Sequence, residues 1–245
     1  MPHPIRIGIG GWTYEPWRGT FYPSGLRQAD ELAFAAKALT TIEVNGTYYG
    51  TQKPETFAKW ARETPDGFVF ALKAPRFATS RRVLAEGGES IARFLASGLT
   101  ELGPKLGPIN WQLPETKKFD EGDMAAFLDL LPDHLDGLPL RHAIEARHDS
   151  FACDAFANLL RDRGIAAVQA EDSEYPRIAA ATAPFAYLRI MGTREDEPLG
   201  YSEGDLDHWA TRLRDMARTR DIFLFVISGH KAANPAAAQA LIDRL

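Results

Sequence analysis

The chain has 245 residues (27.1 kDa), of which 45% are apolar and 25% charged, a globular composition that excludes a disordered or fibrous protein. Its 33 acidic against 28 basic residues leave a net charge of −5, which argues against a general nucleic-acid binder but leaves room for a local basic pocket. The single cysteine, Cys153, excludes an internal disulfide and a cysteine-based zinc site; it falls at an apolar helix start and reads as packing. Met1-Pro2-His3-Pro4 carries no basic-then-apolar leader, and no apolar run reaches the about 18 residues of a membrane span. A cytoplasmic protein without a membrane partner is expected, as one domain over residues 1–245.

Eight apolar runs of strand length follow at even spacing, at residues 5–10, 41–45, 68–73, 109–113, 142–147, 165–170, 185–191 and 222–227. Segments of helical period separate most of them, at residues 32–39, 55–62, 89–102, 123–131, 154–161, 204–220 and 235–245. Asn234-Pro235 reads as an N-cap followed by a first-turn proline, and Gly164 as a helix stop. Residues 172–184 hold two prolines and leave little room for a sixth helix.

Strands alternating with helices argue for parallel β-α units, and eight of them in about 250 residues suit a (β/α)8 barrel of the TIM type, here with a degenerate sixth helix. An open dinucleotide-binding sheet is disfavoured. Gly8-Ile9-Gly10-Gly11 is not G-x-G-x-x-G, and no helix opens directly after it.

In a TIM barrel, function gathers where strands end. The first run exits into Trp12, Tyr14 and Trp17, the second into Glu43, Asn45, Tyr48 and Tyr49, the third into Lys73 and the fourth into Gln112. The fifth delivers Glu145, Arg147 and His148, the sixth Glu171 and Asp172, the seventh Arg189, and the eighth Ser228, Gly229 and His230. Side chains alternate along a strand. Glu43 with Asn45 therefore opposes Ile42 and Val44, and Glu145 with Arg147 opposes Ile144 and Ala146. Lys73 with Val69 and Ala71 opposes Phe70 and Leu72, and Arg189 with Tyr187 opposes Leu188 and Ile190. The aliphatic faces are expected against the helices and the charged faces inside the barrel mouth. Two carboxylates, one lysine and two arginines there must pair with each other or with a ligand, because an unpaired interior charge is costly.

The segments Ile7-Gly8-Ile9-Gly10-Gly11-Trp12-Thr13-Tyr14 with Trp17, Phe21-Tyr22-Pro23 and Thr41-Ile42-Glu43-Val44-Asn45-Gly46-Thr47-Tyr48-Tyr49 resemble the domain of unknown function 72, or YecE-like, family. The resemblance continues through Trp60, Thr64-Pro65, residues 68–73, Leu106-Gly107-Pro108, Gln112-Leu113-Pro114, Glu145-Ala146-Arg147-His148, Asp172 and Tyr187-Leu188-Arg189, and so covers nearly the whole chain. It implies a TIM-barrel-like fold with a charged pocket and no settled activity. Two places depart from the family pattern. Met191-Gly192 stands where a histidine-glycine is usual, and Ser228-Gly229 where the last strand commonly ends in asparagines.

Glu43, Glu145, Lys73, His148 and Asp172 form the candidate catalytic set. The two glutamates read as a general acid/base pair tuned upward by apolar walls, or as structural partners of the cations. Lys73 reads as a Schiff-base amine if desolvated, although a carboxylate neighbour would keep it protonated. His148 reads as a proton shuttle or a cap, and Asp172 as a site residue or a turn former. Trp12, Tyr14, Trp17, Asn45, Tyr48, Gln112, Arg147 and Arg189 form the candidate ligand-binding set, the aromatics serving as a stacking wall or closing the barrel top.

A glycosidase needs two carboxylates about one bond, but the seventh run carries Arg189 where barrel glycosidases have a second acid. A metallo-enzyme needs several histidines and carboxylates to converge, and of six histidines only His148 and His230 follow strand ends. No tightly held metal is therefore expected, a weakly carboxylate-bound magnesium being left open, and no cofactor is expected. The favoured reading is a small anionic ligand, phosphorylated or carboxylated, held by Arg147, Arg189 and Lys73 while Glu43 or Glu145 moves protons. The alternatives are a metal-dependent phosphoesterase or isomerase, a nucleic-acid-processing barrel, and a pocket that binds without turnover. Nothing in the sequence specifies an oligomeric state.

Overall fold

The computed structural model describes residues 2–245. The strands are β1 (Ile5–Gly10), β2 (Thr41–Val44), β3 (Val69–Lys73), β4 (Leu106–Gln112), β5 (His134–Leu135), β6 (Leu138–Pro139), β7 (His142–Glu145), β8 (Ala166–Glu171), β9 (Phe185–Ile190) and β10 (Asp221–Val226). All but β5 and β6 are parallel and close into an eight-stranded barrel, with β10 returning to pair with β1. The helices are α1 (Glu31–Ala38), α2 (Gly46–Tyr49), α3 (Pro54–Glu63), α4 (Arg76–Thr79), α5 (Gly88–Leu95), α6 (Glu121–Leu128), α7 (Asp154–Arg161), α8 (Glu203–Met216) and α9 (Asn234–Ile242). Between β8 and β9 no helix forms. This is the (β/α)8 barrel with an empty sixth helix position that the sequence pattern predicts.

The two faces of each strand pack differently. Ile42, Val44, Phe70, Leu72, Ile144, Ala146, Leu188 and Ile190 join the buried layer shared with helix residues such as Leu32, Phe57 and Leu206. Val69, Ala71, Ala143, Val168, Tyr187 and Phe225 form a second cluster on the opposite face, which closure turns inward. Burying each large apolar side chain contributes about 1.5–3 kcal/mol, so the aliphatic face sets the pleat and the charged residues one position away are carried inward. A one-residue slip would drive them into the helix layer. At the N-terminal end the guanidinium groups of Arg6 and Arg141 cover the Phe223 ring, at 5.5 and 4.9 Å from its centroid. Asp221 binds His3 there at 3.0 Å.

Four local expectations differ from the structure. The predicted helix 89–102 stops at Leu95 and resumes as a tighter turn from Leu99, because Gly98 sits at φ 91°, outside helical space. Strand β4 begins three residues before the expected 109, since the β3–β4 register shift between Phe70 and Leu72 accommodates Gly107-Pro108. Asp136-Gly137, both at positive φ, turns the small β5–β6 hairpin that the apolar pattern did not mark. Asn234 is the first residue of α9 rather than its cap, and its Oδ1 accepts the Thr193 hydroxyl at 2.8 Å. No helix among the described residues is long and apolar enough to cross a membrane.

Candidate functional site

The inward faces of β2, β4, β7 and β9 converge near their C-terminal ends. Arg189 Nη1 donates to Glu145 Oε1 and Oε2 at 2.6 and 2.7 Å, and its Nη2 to Glu43 Oε1 at 3.1 Å. Arg147 adds Nε and Nη2 to Glu145 Oε1, at 2.9 and 2.8 Å. The Tyr187 hydroxyl donates to Glu43 Oε2 at 2.6 Å. The Asn110 amide reaches Glu145 Oε2 at 3.0 Å and Glu43 Oε2 at 3.4 Å. Both glutamates are fully buried, and each of their four oxygens has a donor.

Burial pushes the Glu145 carboxyl up, but Arg189, Arg147, Lys73 and the Asn110 amide outweigh it and hold the pKa at about 2. The upward tuning expected from its apolar walls is therefore reversed by neighbouring cations. Burial draws the Arg189 guanidinium down, and Glu145 and Glu43 more than restore it. The Tyr187 hydroxyl is raised well above its ordinary value, by burial and then by Glu43. Glu145 and Arg189 therefore stay charged and Tyr187 neutral through the neutral range.

Lys73 sits at the edge of this cluster with a different environment. Its Nζ donates to Gln112 Oε1 at 2.7 Å and lies 4.4 Å from the Tyr48 ring centroid. Among the described residues it makes no ion pair, so the carboxylate neighbour anticipated for it is absent from direct contact. Burial lowers its pKa, Glu43 opposes this, and Arg189 reinforces it, for a net lowering.

Above the cluster opens a cavity of about 540 Å³. Its charged lining consists of Lys73, Arg147, Arg189 and Lys231, with Asn45, Tyr48, Tyr49, Gln112, Ser228 and Asn234 as further polar groups. Among the described residues, no carboxylate lines it. Lys231 reaches the rim across the rings of Tyr14 and Trp17, 4.1 and 5.7 Å from their centroids. The turn leading to it from β10 holds Ser228 and Gly229 in the left-handed region, at φ 56° and 54°. Ser228 thus holds a conformation that non-glycine residues adopt sparingly.

Of the sequence candidates, Glu43, Lys73, Glu145, Arg147, Arg189, Asn45, Tyr48 and Gln112 thus meet in or directly under one cavity. Five do not. Trp17 is buried and donates its Nε1 to the Lys231 carbonyl at 2.9 Å, and Tyr14 stands edge-on to it, so both support Lys231 from behind. Trp12 packs edge-on against Trp60 in an adjoining cleft. His148 is tied locally, its Nδ1 accepting the Ser150 backbone N–H at 3.1 Å. Asp172, at φ 54°, accepts the Tyr201 hydroxyl at 3.1 Å and lines a separate cavity of about 390 Å³ with Glu171, Arg177 and Arg212. Glu171 faces the helix layer, where Arg177 and Arg212 pair with it. Cys153 is exposed, at the N-cap position of α7, rather than packed.

Asn110, Tyr187 and Lys231 complete the site without having been candidates. Asn110 was legible by alternation, two residues before Gln112 on the same face. Lys231 carried no such signal, because it lies in the short 3-10 turn Lys231–Ala233 beyond the last strand, where strand alternation does not apply. Among the described residues no three His, Cys, Asp or Glu side chains converge as a metal site would require.

A family model described as "Protein of unknown function DUF72" matches residues 6–245. The curated protein YecE of Escherichia coli K12, a UPF0759 protein, is 27% identical over 164 residues, 66% of this chain and 55% of YecE. The matched stretch thus spans little more than half of that relative. Among solved structures, a DUF72 family protein from Thermotoga maritima MSB8 is 25% identical, with a TM-score of 0.76 over 98% of this chain and 97% of that one. A DUF72 family protein from Enterococcus faecalis V583 is 18% identical, also at TM-score 0.76, over 98% and 95%. A xylose isomerase-like TIM barrel/4-hydroxyphenylpyruvate dioxygenase fusion protein shares the barrel at TM-score 0.54 and 13% identity, over 97% of this chain and 41% of that one.

Proposed function

This chain belongs to the DUF72 family, whose name assigns no activity, and from its cavity we propose that it binds a small anionic ligand, phosphorylated or carboxylated, at the C-terminal mouth of the barrel. The observation that supports this is the sign of the lining: four cations and no carboxylate. Glu43 and Glu145 lie beneath, with every oxygen engaged by arginine, tyrosine or asparagine donors. They act as counter-ions that make it tolerable to hold Arg189 in a barrel interior. That arrangement leaves Lys73, Arg147 and Lys231 with donors to spare, in a low-dielectric setting where charge-assisted hydrogen bonds are strong. A volume of about 540 Å³ falls in the range of small-molecule sites. The same engagement of Glu43 and Glu145 speaks against using them as metal ligands, and so against the metallo-phosphoesterase reading.

Calorimetric titration of the protein with inorganic phosphate, and with a sugar phosphate against its unphosphorylated parent, tests the proposal. Saturable binding of the charged compounds alone is expected. Lys231→Met removes a cation that neutralises no carboxylate, so it should fold normally and bind roughly tenfold more weakly, a loss of about 1.4 kcal/mol. Equal affinity for charged and uncharged compounds, or full affinity in Lys231→Met, would overturn it.

A further inference from the structure

Lys73 combines three features that an amine held only as a phosphate-binding cation does not need. It is buried, at 7% exposure, yet it lines the open cavity. It makes no ion pair although two buried carboxylates lie close by, because Arg189, Arg147, Asn110 and Tyr187 occupy all four of their oxygens. Its hydrogen bond goes to a neutral amide oxygen, Gln112 Oε1, and the Tyr48 ring covers it. These contacts favour an ammonium less than a carboxylate partner would, while burial opposes it. A neutral amine loses little, and a neutral amine is a nucleophile. The direction of its pKa, lowered by burial and by Arg189 against the pull of Glu43, agrees.

We propose that Lys73 captures the carbonyl group of an aldehyde or ketone ligand as an imine, the ligand's anionic group being held by the surrounding cations. The proposal rests on the anion-binding reading of this cavity and deepens it to a class of substrate: small carbonyl compounds carrying a phosphate or carboxylate. The ammonium of Lys73 first gives one proton to water at the cavity mouth. The nitrogen lone pair then forms the C–N bond while the carbonyl π pair moves to oxygen, and one N–H proton passes to that oxygen to give a carbinolamine. Return of the first proton lets the C–O bond break, so that water leaves and nitrogen keeps one hydrogen in a protonated imine. Ammonium and carbonyl thus become iminium and water, with no oxidant or reductant. Arg147 and Lys231 hold the anionic end and leave the carbonyl to meet Nζ.

Pyridoxal 5′-phosphate, an aldehyde with a phosphate, is the probe. The wild-type protein is incubated with it and treated with borohydride, which reduces an imine to a stable secondary amine, and modified lysines are located by peptide mass spectrometry. Preferential modification of Lys73 over the exposed Lys53, Lys59 and Lys118, with protection by excess inorganic phosphate, is expected. The parallel reaction with unphosphorylated pyridoxal should label Lys73 at least tenfold more slowly. Modification spread over the exposed lysines while Lys73 stays free, in protein that binds phosphate by calorimetry, overturns the imine proposal and leaves the anion-binding reading standing. Labelling of Lys73 by both aldehydes at the same rate, without phosphate protection, upholds the nucleophile and overturns the anion-binding reading. Site mapping on the wild type makes the outcome independent of whether a Lys73 variant folds.

Discussion

Arg189 is shared by two carboxylates that have no exposed surface, so removing any one of the three strands a charge. Glu145→Gln leaves Arg189 with Glu43 alone and Arg147 with only the exposed Glu115, 3.8 Å away. A loss of about 3–5 kcal/mol is expected for breaking a buried ionic group by one partner, which lowers the midpoint of thermal unfolding by roughly 10 °C at this chain length. A melt unchanged from wild type would show that Glu145 is not the counter-ion described here. The pH dependence has a definite sign. Glu145 titrates at about 2 in the folded protein against an ordinary 4.5, and a carboxyl depressed by folding stabilises above its unfolded pKa. Its contribution should therefore be complete above about pH 5 and disappear as pH falls from there toward 2; urea titrations across that interval should give falling stability in the wild type and a flatter profile in Glu145→Gln. Lys73 works the opposite way. Its ammonium is buried without an ion pair, so Lys73→Met should keep the melting temperature of wild type or raise it by a few degrees while abolishing the imine reaction. A large fall in stability would make Lys73 part of the scaffold.

Strand pairing sets where these side chains point, and one position in the first strand makes the dependence measurable. Gly8 pairs with Thr41 of β2. A Cβ built on it would lie 1.8 Å from the Thr41 carbonyl oxygen, which is backbone and cannot turn aside. Gly8→Ala must therefore push β1 from β2 and disturb the strand that carries Glu43. A loss of about 3 kcal/mol, the upper range for overpacking, is expected by denaturant titration, and a wild-type midpoint would contradict the close approach. The helices were readable for a different reason. Residues 154–161 coincide with α7 because its buried side chains Phe156, Ala157 and Leu160 recur at helical spacing, whereas 89–102 ran through Gly98, whose positive φ depends on the chain path beyond the window.

The whole protein is acidic, at −5, while one cavity at the barrel mouth presents four cations. Charge is thus separated across the molecule. An anion approaching the mouth is drawn by a local field and repelled by the remainder, and both effects weaken within a screening length of about 8–10 Å at physiological salt. The affinity for inorganic phosphate should fall several-fold between low and physiological ionic strength, with sodium chloride as the added salt. Affinity independent of salt would mean that the lining cations do not govern binding.

Period-two and period-3.6 patterning by itself determined the eight barrel strands, most of the helical segments and the inward direction of Glu43, Lys73, Glu145 and Arg189, because each of these follows from which residues a strand or helix can bury, while two prolines marked the missing sixth helix. Asn110 obeyed the same rule and was within reach of it. What a single strand cannot encode is the partner across the barrel. The capture of both carboxylates by Arg189, which lowers Glu145 rather than raising it, joins residues more than forty positions apart. The absence of any ion pair on Lys73 is a consequence of that capture. The arrival of Lys231 depends on a turn with two left-handed residues, and the engagement of Asp172 away from the site depends on Tyr201, 29 positions further along the chain. Only closure of the barrel decided these, since Coulombic and hydrogen-bond energies follow distance in space, while patterning follows distance along the chain.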